Sequence, residues 1–338
     1  MQQDAAGGHA YVLLCAYHKF GDPRYLEHCK SALEALISQK ESRFYEALLP
    51  LGVYVAAYLN ATEGTNYNVS KLFDWVFNGC QSSSGRTGWG IIVGKWGDYD
   101  VSGLQGSITD GGGYAFLMNS IKPAWPFIPL VKYQPEYAKA IGKWMLNNSS
   151  ACRLFYPGDI DEKHQWAPEL KNITNNHVSY EGLKKADDYG KESLKGVSPV
   201  AIGDGPKWIE GNPAESMFSV YSSSPVGILG AIITKTDVEG ILQLDCNATD
   251  FYVDKPYPVY LYYNPYKEAK TITYRASQEC DLFDIVAKKY VARNVNESGL
   301  IEIPANDARV IVELPQGTVL ELQDGKIISN KENIIAYK

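Results

Sequence analysis

Two stretches of this chain, about a hundred residues apart, read almost alike: GGHAYVLL at 7–14 and GGYAFLMN at 112–119. Each is followed by an amphipathic segment built around a tyrosine, DPRYLEHCKSALEAL at 22–36 and QPEYAKAIGKWMLN at 134–147. A third copy between them lacks the opening glycines and runs YEALLPLGVYVAAYLN at 45–60, then NYNVSKLFDWVFNG at 66–79. Helix pairs that recur in this way cannot bury their apolar faces singly, so the repeat predicts an array of stacked helical hairpins.

Near residue 220 the pattern changes. Runs such as VGILGAII, YPVYLYYNP, KTITYRA and ARVIVELP are short, rich in β-branched and aromatic residues, and divided by Asn-Pro, Asp-Gly or Gly turns. That alternation predicts an antiparallel β-sandwich. The expected organisation is therefore a helical domain at 1–220 and a β-sandwich domain at 221–338, an α+β multidomain chain.

The hairpin pattern over roughly residues 5 to 150 resembles the (α/α) toroid, or six-hairpin glycosidase-like, proteins. In those, inner helix, short turn and outer helix repeat around a ring. The phrases YYNPYKEAKTITY and IPANDARVIVELP, within 225–338, resemble the C-terminal β-sandwich appended to many carbohydrate-active enzymes. Three hairpins are recognisable where a full toroid has about six, so the expected ring is incomplete. A missing N-terminal region or an oligomer would complete it, and the helical pattern that begins almost at once suggests the C-terminal part of a longer protein. The resemblance implies an oligo- or polysaccharide partner and an extracellular or periplasmic location, although the chain opens without a signal peptide.

Composition limits the alternatives. A net charge of -7 with no lysine and arginine stripe argues against nucleic acid. No apolar run approaches the ~20 residues of a membrane span. Six scattered cysteines form no CxxC pair and no zinc spacing, and no cofactor motif is present.

Three segments concentrate the chemistry. The glycine-rich stretch 88–116 combines Trp89, Trp96 and Tyr99 with Asp98, Asp100 and Asp110. Flat rings suit the C–H faces of sugars, and carboxylates serve their hydroxyls. The plainer reading makes the tryptophans core, Asp98 and Asp100 turn residues, and Asp110 a helix cap. The stretch 156–170 adds Asp159, Asp161, His164, Trp166 and Glu169; its acidic spacing suggests a cation loop but lacks the glycine and terminal glutamate of an EF-hand. The third, NNHVSYEGLKK, holds His177, Tyr180 and Glu181. The loop after it contributes Asp204, Trp208, Glu210 and Glu215 to a cleft rim, and His9 joins the binding candidates from the first repeat.

Three functions follow as expectations. A glycoside hydrolase would pair Asp110 with Glu181, or use Asp100 in place of either, one carboxyl protonating the leaving oxygen while the other activates water. A polysaccharide lyase would use Tyr180 and His177 for proton transfer, against an acidic balance ill suited to uronates. A non-catalytic glycan-binding scaffold is the third. In each, Trp89, Trp96, Tyr99, Trp166, Trp208 and His9 are the expected substrate contacts, and no metal is assigned.

Overall fold

The computed structural model describes residues 4–42, 44, 47–78, 89–107, 113–171, 180–186, 191–203, 225–330 and 333–337. Its first elements are the helices the repeat predicts: α1 (Ala5–Phe20), α2 (Pro23–Ile37), α3 (Leu49–Glu63) and α4 (Val69–Phe77). Gly21, at φ 70, ends α1, and one residue later the Asp22 carboxylate accepts from the Arg24 amide at 3.0 Å to start α2. The repeated glycine has a steric purpose. A Cβ on Gly7 would lie 2.7 Å from the Leu48 carbonyl oxygen, and one on Gly52 would lie 3.0 Å from the Gly7 Cα. Only hydrogens let the α1 and α3 backbones come so close. Helix α3 is apolar on all sides up to Leu59 and is buried over nearly all of that stretch, as a central helix must be.

After α4 the hairpins do not continue around a ring, which corrects the toroid resemblance. A five-stranded antiparallel sheet follows, in the order β1 (Trp89–Ile91), β4 (Gln105–Ser107), β5 (Tyr114–Phe116), β6 (Gly182–Lys184) and β7 (Val200–Ile202). Between β1 and β4, β2 (Lys95–Trp96) and β3 (Tyr99–Asp100) make a two-residue hairpin through Gly97, at φ 53, and Asp98. The second copy of the repeat is where prediction and structure part. Gly113 has φ 126, outside helical geometry, and Tyr114 and Phe116 pair with Ser107 and Gly182. Only then does the short α5 (Leu117–Ile121) begin, followed by α6 (Ala124–Tyr133) and α7 (Ala138–Cys152). Residues before 220 are thus mixed helix and antiparallel sheet.

Past 220 the chain forms α8 (Val226–Ile232), where the apolar run VGILGAII predicted a strand, and then antiparallel strands throughout. These are β8 (Ile233–Lys235), β9 (Leu242–Asp245), β10 (Val259–Asn264), β11 (Lys270–Arg275), β12 (Cys280–Asp284), β13 (Lys289–Val295), β14 (Ser298–Ile303), β15 (Asp307–Pro315), β16 (Leu320–Gln323), β17 (Lys326–Ser329) and β18 (Asn333–Tyr337). Six of them form one sheet, ordered β13-β12-β15-β10-β9-β8. One face of it, with Leu261, Tyr263, Val310 and Val312, belongs to the apolar core of α6 and α7; a Cβ on Gly142 would sit 2.6 Å from the Tyr263 Cβ. The opposite face, with Tyr262, Leu282 and Ile311, packs with Ile272, Tyr274, Ile301 and Ile303 of the β11-β14 pair. The largest apolar cluster runs from Ala10 to Ala336 and so draws on both the helices and the sheet.

One polar joint ties these layers together. Asp250, 1% exposed, accepts from the Tyr133 hydroxyl at 2.7 Å and from the Tyr54 hydroxyl, and pairs with Lys132. Lys132 also donates to Asn247 Oδ1 at 2.9 Å. A buried carboxylate needs this many donors, because an uncompensated charge in the core is strongly unfavourable. Burial, and next to it the neighbouring charged groups, raise the Tyr54 and Tyr133 hydroxyls well above the ordinary tyrosine range. Among the described residues no helix is long and apolar enough to cross a membrane.

Candidate functional site

The five-stranded sheet has two unlike faces. Its pairing places Gly90, Gly106, Ala115, Leu183 and Ala201 in one row, and Ala115, Leu183 and Ala201 belong to an apolar cluster with Trp96 and Tyr180. Side chains alternate along a strand, so Trp89, Ser107, Tyr114 and Lys184 line the opposite face, with Gln105 and Phe116 beside them. Phe116 stacks near Tyr114 with centroids 6.0 Å apart and meets Trp89 edge-on at 6.4 Å. The Lys184 ammonium lies 5.2 Å from the centre of the Tyr114 ring.

At the edge of this face the Tyr114 hydroxyl donates to Glu181 Oε1 at 2.7 Å. Glu181 is 9% exposed, and among the described residues its Oε2 has no hydrogen bond. The residue that makes the contact possible is Gly182. A Cβ there would stand 2.4 Å from Tyr114 Cε2, so any side chain would push the ring away from the carboxylate. The backbone is fixed as well, since the Leu117 amide donates to the Glu181 carbonyl at 2.7 Å.

Gln105 is the second unusual group. Its side chain is wholly buried, and neither Nε2 nor Oε1 has a hydrogen-bond partner among the described residues. Its backbone is well held, the amide donating to Ser120 Oγ at 2.9 Å. A buried primary amide with nothing to bond costs about 1 to 3 kcal/mol, which marks Gln105 as a group for a water or a ligand to satisfy.

The other residues singled out from sequence lie as follows. Trp89, Trp96 and Trp166 are 3%, 6% and 3% exposed, so all three rings are packed inside the protein. Tyr99 is half-buried; its hydroxyl accepts from the Asp161 amide at 3.0 Å and its ring meets His164 edge-on at 4.9 Å. Asp98 and Asp100 are exposed at the β2-β3 turn. Asp100 accepts from the Ser102 amide at 2.9 Å, and hydrogen bonds from Ser102 hold its carboxyl below the usual range. Tyr180 is wholly buried on the apolar side of the sheet, its hydroxyl donating to Gln165 Oε1 and accepting from the Ala167 amide, both at 3.3 Å. Burial raises that phenol above the ordinary range.

His164 Nδ1 bonds the Pro199 carbonyl at 2.7 Å, Asp161 caps Lys163, and Asp159 stands 4.0 Å from Arg153. Glu169 is exposed, as is His9 on α1. Among the described residues no three potential ligands are grouped to hold a metal ion. Asp110, His177, Asp204, Trp208, Glu210 and Glu215 lie outside the described residues.

Of the candidates read from sequence, Trp89 lies on this sheet face and Glu181 at its edge, bonded to Tyr114. Tyr114, Gln105, Lys184 and Gly182 were not singled out. Their signal is the i, i+2 alternation in QGS, YAF and GLK, visible once those triplets are read as strands. The chain matches no protein-family model and no curated protein.

Proposed function

We propose that this chain is a carbohydrate-active protein, in its leading form a glycoside hydrolase, in which Glu181 is a catalytic carboxylate. The observation that carries the reading is the 2.7 Å bond from Tyr114 to Glu181, set beside an aromatic sheet face that also presents the unsatisfied Gln105 amide. Such a site has the parts a sugar requires. The half-buried Tyr114 ring supplies flat apolar contact, an amide supplies one donor pair and one acceptor for hydroxyls, and an oriented carboxyl supplies proton transfer.

The Tyr114 bond occupies Oε1 and fixes the plane of the carboxyl, which leaves Oε2 to face a glycosidic oxygen or a water. A glycosidase needs a second carboxylate on the other side of the scissile bond. Asp100 is engaged by its turn, which leaves Asp110 as the partner to test by mutation. The lyase reading gains nothing from Tyr180, whose hydroxyl is buried on the far side of the sheet and engaged twice. We read the six-stranded sheet and the β11-β14 pair as a β-sandwich of structural role.

The test is to incubate the purified chain with neutral and uronate-containing oligosaccharides and to measure new reducing ends and ultraviolet absorbance. New reducing ends without absorbance support hydrolysis. Absorbance from a new double bond indicates a lyase, and binding without either product indicates a glycan-binding scaffold.

A further inference from the structure

We propose a binding site for an organic carboxylate with an apolar body, in the cleft between the β12-β13 hairpin and the three-stranded sheet β16-β17-β18. The cleft is a pocket of about 520 Å³. Phe283 and Tyr290 form one wall, where the ladder sets them opposite each other and their rings meet edge-on at 5.2 Å. Leu320, Leu322 and Ile327 form the other wall, and Tyr337 of β18 lines the pocket as well. Leu322 pairs with Ile327 and Leu320 lies two residues before it, so the alternation of the strand puts all three on one face.

Apolar layers that face each other normally interdigitate without a gap. Here a gap remains, and Leu322, on its wall, is left 70% exposed. The volume sets the size of an occupant. A cavity of ~150 Å³ holds one benzene, so the cleft has room for about three such rings, or for an apolar body of about 8 to 16 carbons. It also falls within the range of roughly 300 to 1,000 Å³, with mostly apolar walls and a few polar groups, that small-molecule sites occupy.

Charge at the rim selects the head group. Lys288 and Lys289, both exposed, line the pocket at the hairpin turn, and among the described residues neither forms an ion pair. Asp284, opposite Lys289 in the ladder, is buried and already bound by Arg309 at 2.5 Å. Among the described residues Glu321 is the only acid of the lining, so two lysines stand against one glutamate and a single negative charge balances them. A polyol would set its hydroxyls against leucine and isoleucine without partners, and a cation would add to the excess charge. One carboxylate on an apolar body answers both the lysines and the walls. The site does not rest on the Glu181 reading, because none of its residues belongs to the five-stranded sheet.

Calorimetric titration of the full chain tests it with octanoate and naphthoate, which carry a chain and a fused ring. Octanol and naphthalenemethanol supply the same bodies without the charge, and acetate supplies the charge without a body. The expected result is that octanoate, naphthoate or both bind about tenfold or more tightly than the matching alcohol and than acetate. That binding should weaken about tenfold in the double variant Lys288→Gln, Lys289→Gln and in Leu322→Ser, and be unchanged in Glu181→Gln. Binding of octanoate alone supports the site with an acyl ligand, and binding of naphthoate alone supports it with an aryl one. The three substituted side chains at the pocket are exposed, so the variants keep the fold and the comparison stays valid. The proposal is overturned if neither carboxylate binds, if the matching alcohol or acetate binds as tightly, or if the lysine double variant leaves affinity unchanged. It is overturned equally if Glu181→Gln abolishes the binding, which would move the ligand to the five-stranded sheet.

Discussion

Tyr114 and Glu181 are 67 residues apart in sequence, yet the β5-β6 pairing brings the phenol hydroxyl to 2.7 Å from the carboxylate. The contact is made across Gly182, where a Cβ would stand 2.4 Å from the ring. Gly182→Ala should therefore displace Tyr114 as well as crowd the sheet, since overpacking typically costs about 1 to 3 kcal/mol. Thermal melting and glycan turnover measured together check this. Both should fall, and unchanged melting and turnover in the Gly182→Ala variant would show that the ring need not lie there.

The Gln105 amide gives an opposite sign for stability. Methionine fills nearly the same volume without a group to satisfy, so Gln105→Met should stabilise the ligand-free protein by about 1 kcal/mol. It should at the same time weaken glycan binding. A denaturant melt and a calorimetric titration decide the point, and a destabilised variant would mean that the amide serves the fold.

Asp250→Asn tests the joint between helices and sheet. The side chains of Lys132 and Asp250 are 12% and 0% exposed, so neutralising one leaves a buried charge without its partner. Loss of about 3 to 5 kcal/mol is expected in urea unfolding. Adding Lys132→Met to the same protein should restore most of it, because replacing both members of a buried pair is far less harmful than replacing one.

Much of the fold was legible, and the failures have physical causes. Asp22 followed by Pro23 marked the start of α2, and the alternating runs from 257 to 315 marked β10 to β15. The second glycine repeat misled because GGYAF is compatible with either period until Gly113 takes a positive φ. VGILGAII misled because a short apolar run does not distinguish a buried strand from a buried helix. At the site, Glu181 was readable as a carboxylate paired with Asp110, whereas its contact with Tyr114 over Gly182 is a product of strand register. Lys132 held an unread clue: it is the one charged residue of the apolar α6, AWPFIPLVKY, and it required the counter-charge that Asp250 provides.

His18 supplies a pH dependence. It lies against Tyr58, ring centroids 5.3 Å apart, with Nε2 buried and without a hydrogen-bond partner among the described residues. Burial lowers its pKa from the usual 6.5, although the charges of Asp250, Asp254 and Glu63 act in the other direction. The unfolded chain therefore takes up this proton first. The stabilising contribution is complete above about pH 6.5 and is lost as pH falls through the lower folded value. His18→Gln should flatten the stability profile just below pH 6.5, as followed by melting temperature at constant ionic strength. An unchanged slope would assign the acid sensitivity to other groups.

The most direct measurement is the turnover of a neutral oligosaccharide by Glu181→Gln, with its binding measured on the same preparation. The amide keeps the size and the Tyr114 contact but cannot exchange a proton. The account predicts a loss of kcat of about a hundredfold or more with affinity nearly retained. Full turnover in the Glu181→Gln variant would contradict it and remove Glu181 from the chemistry.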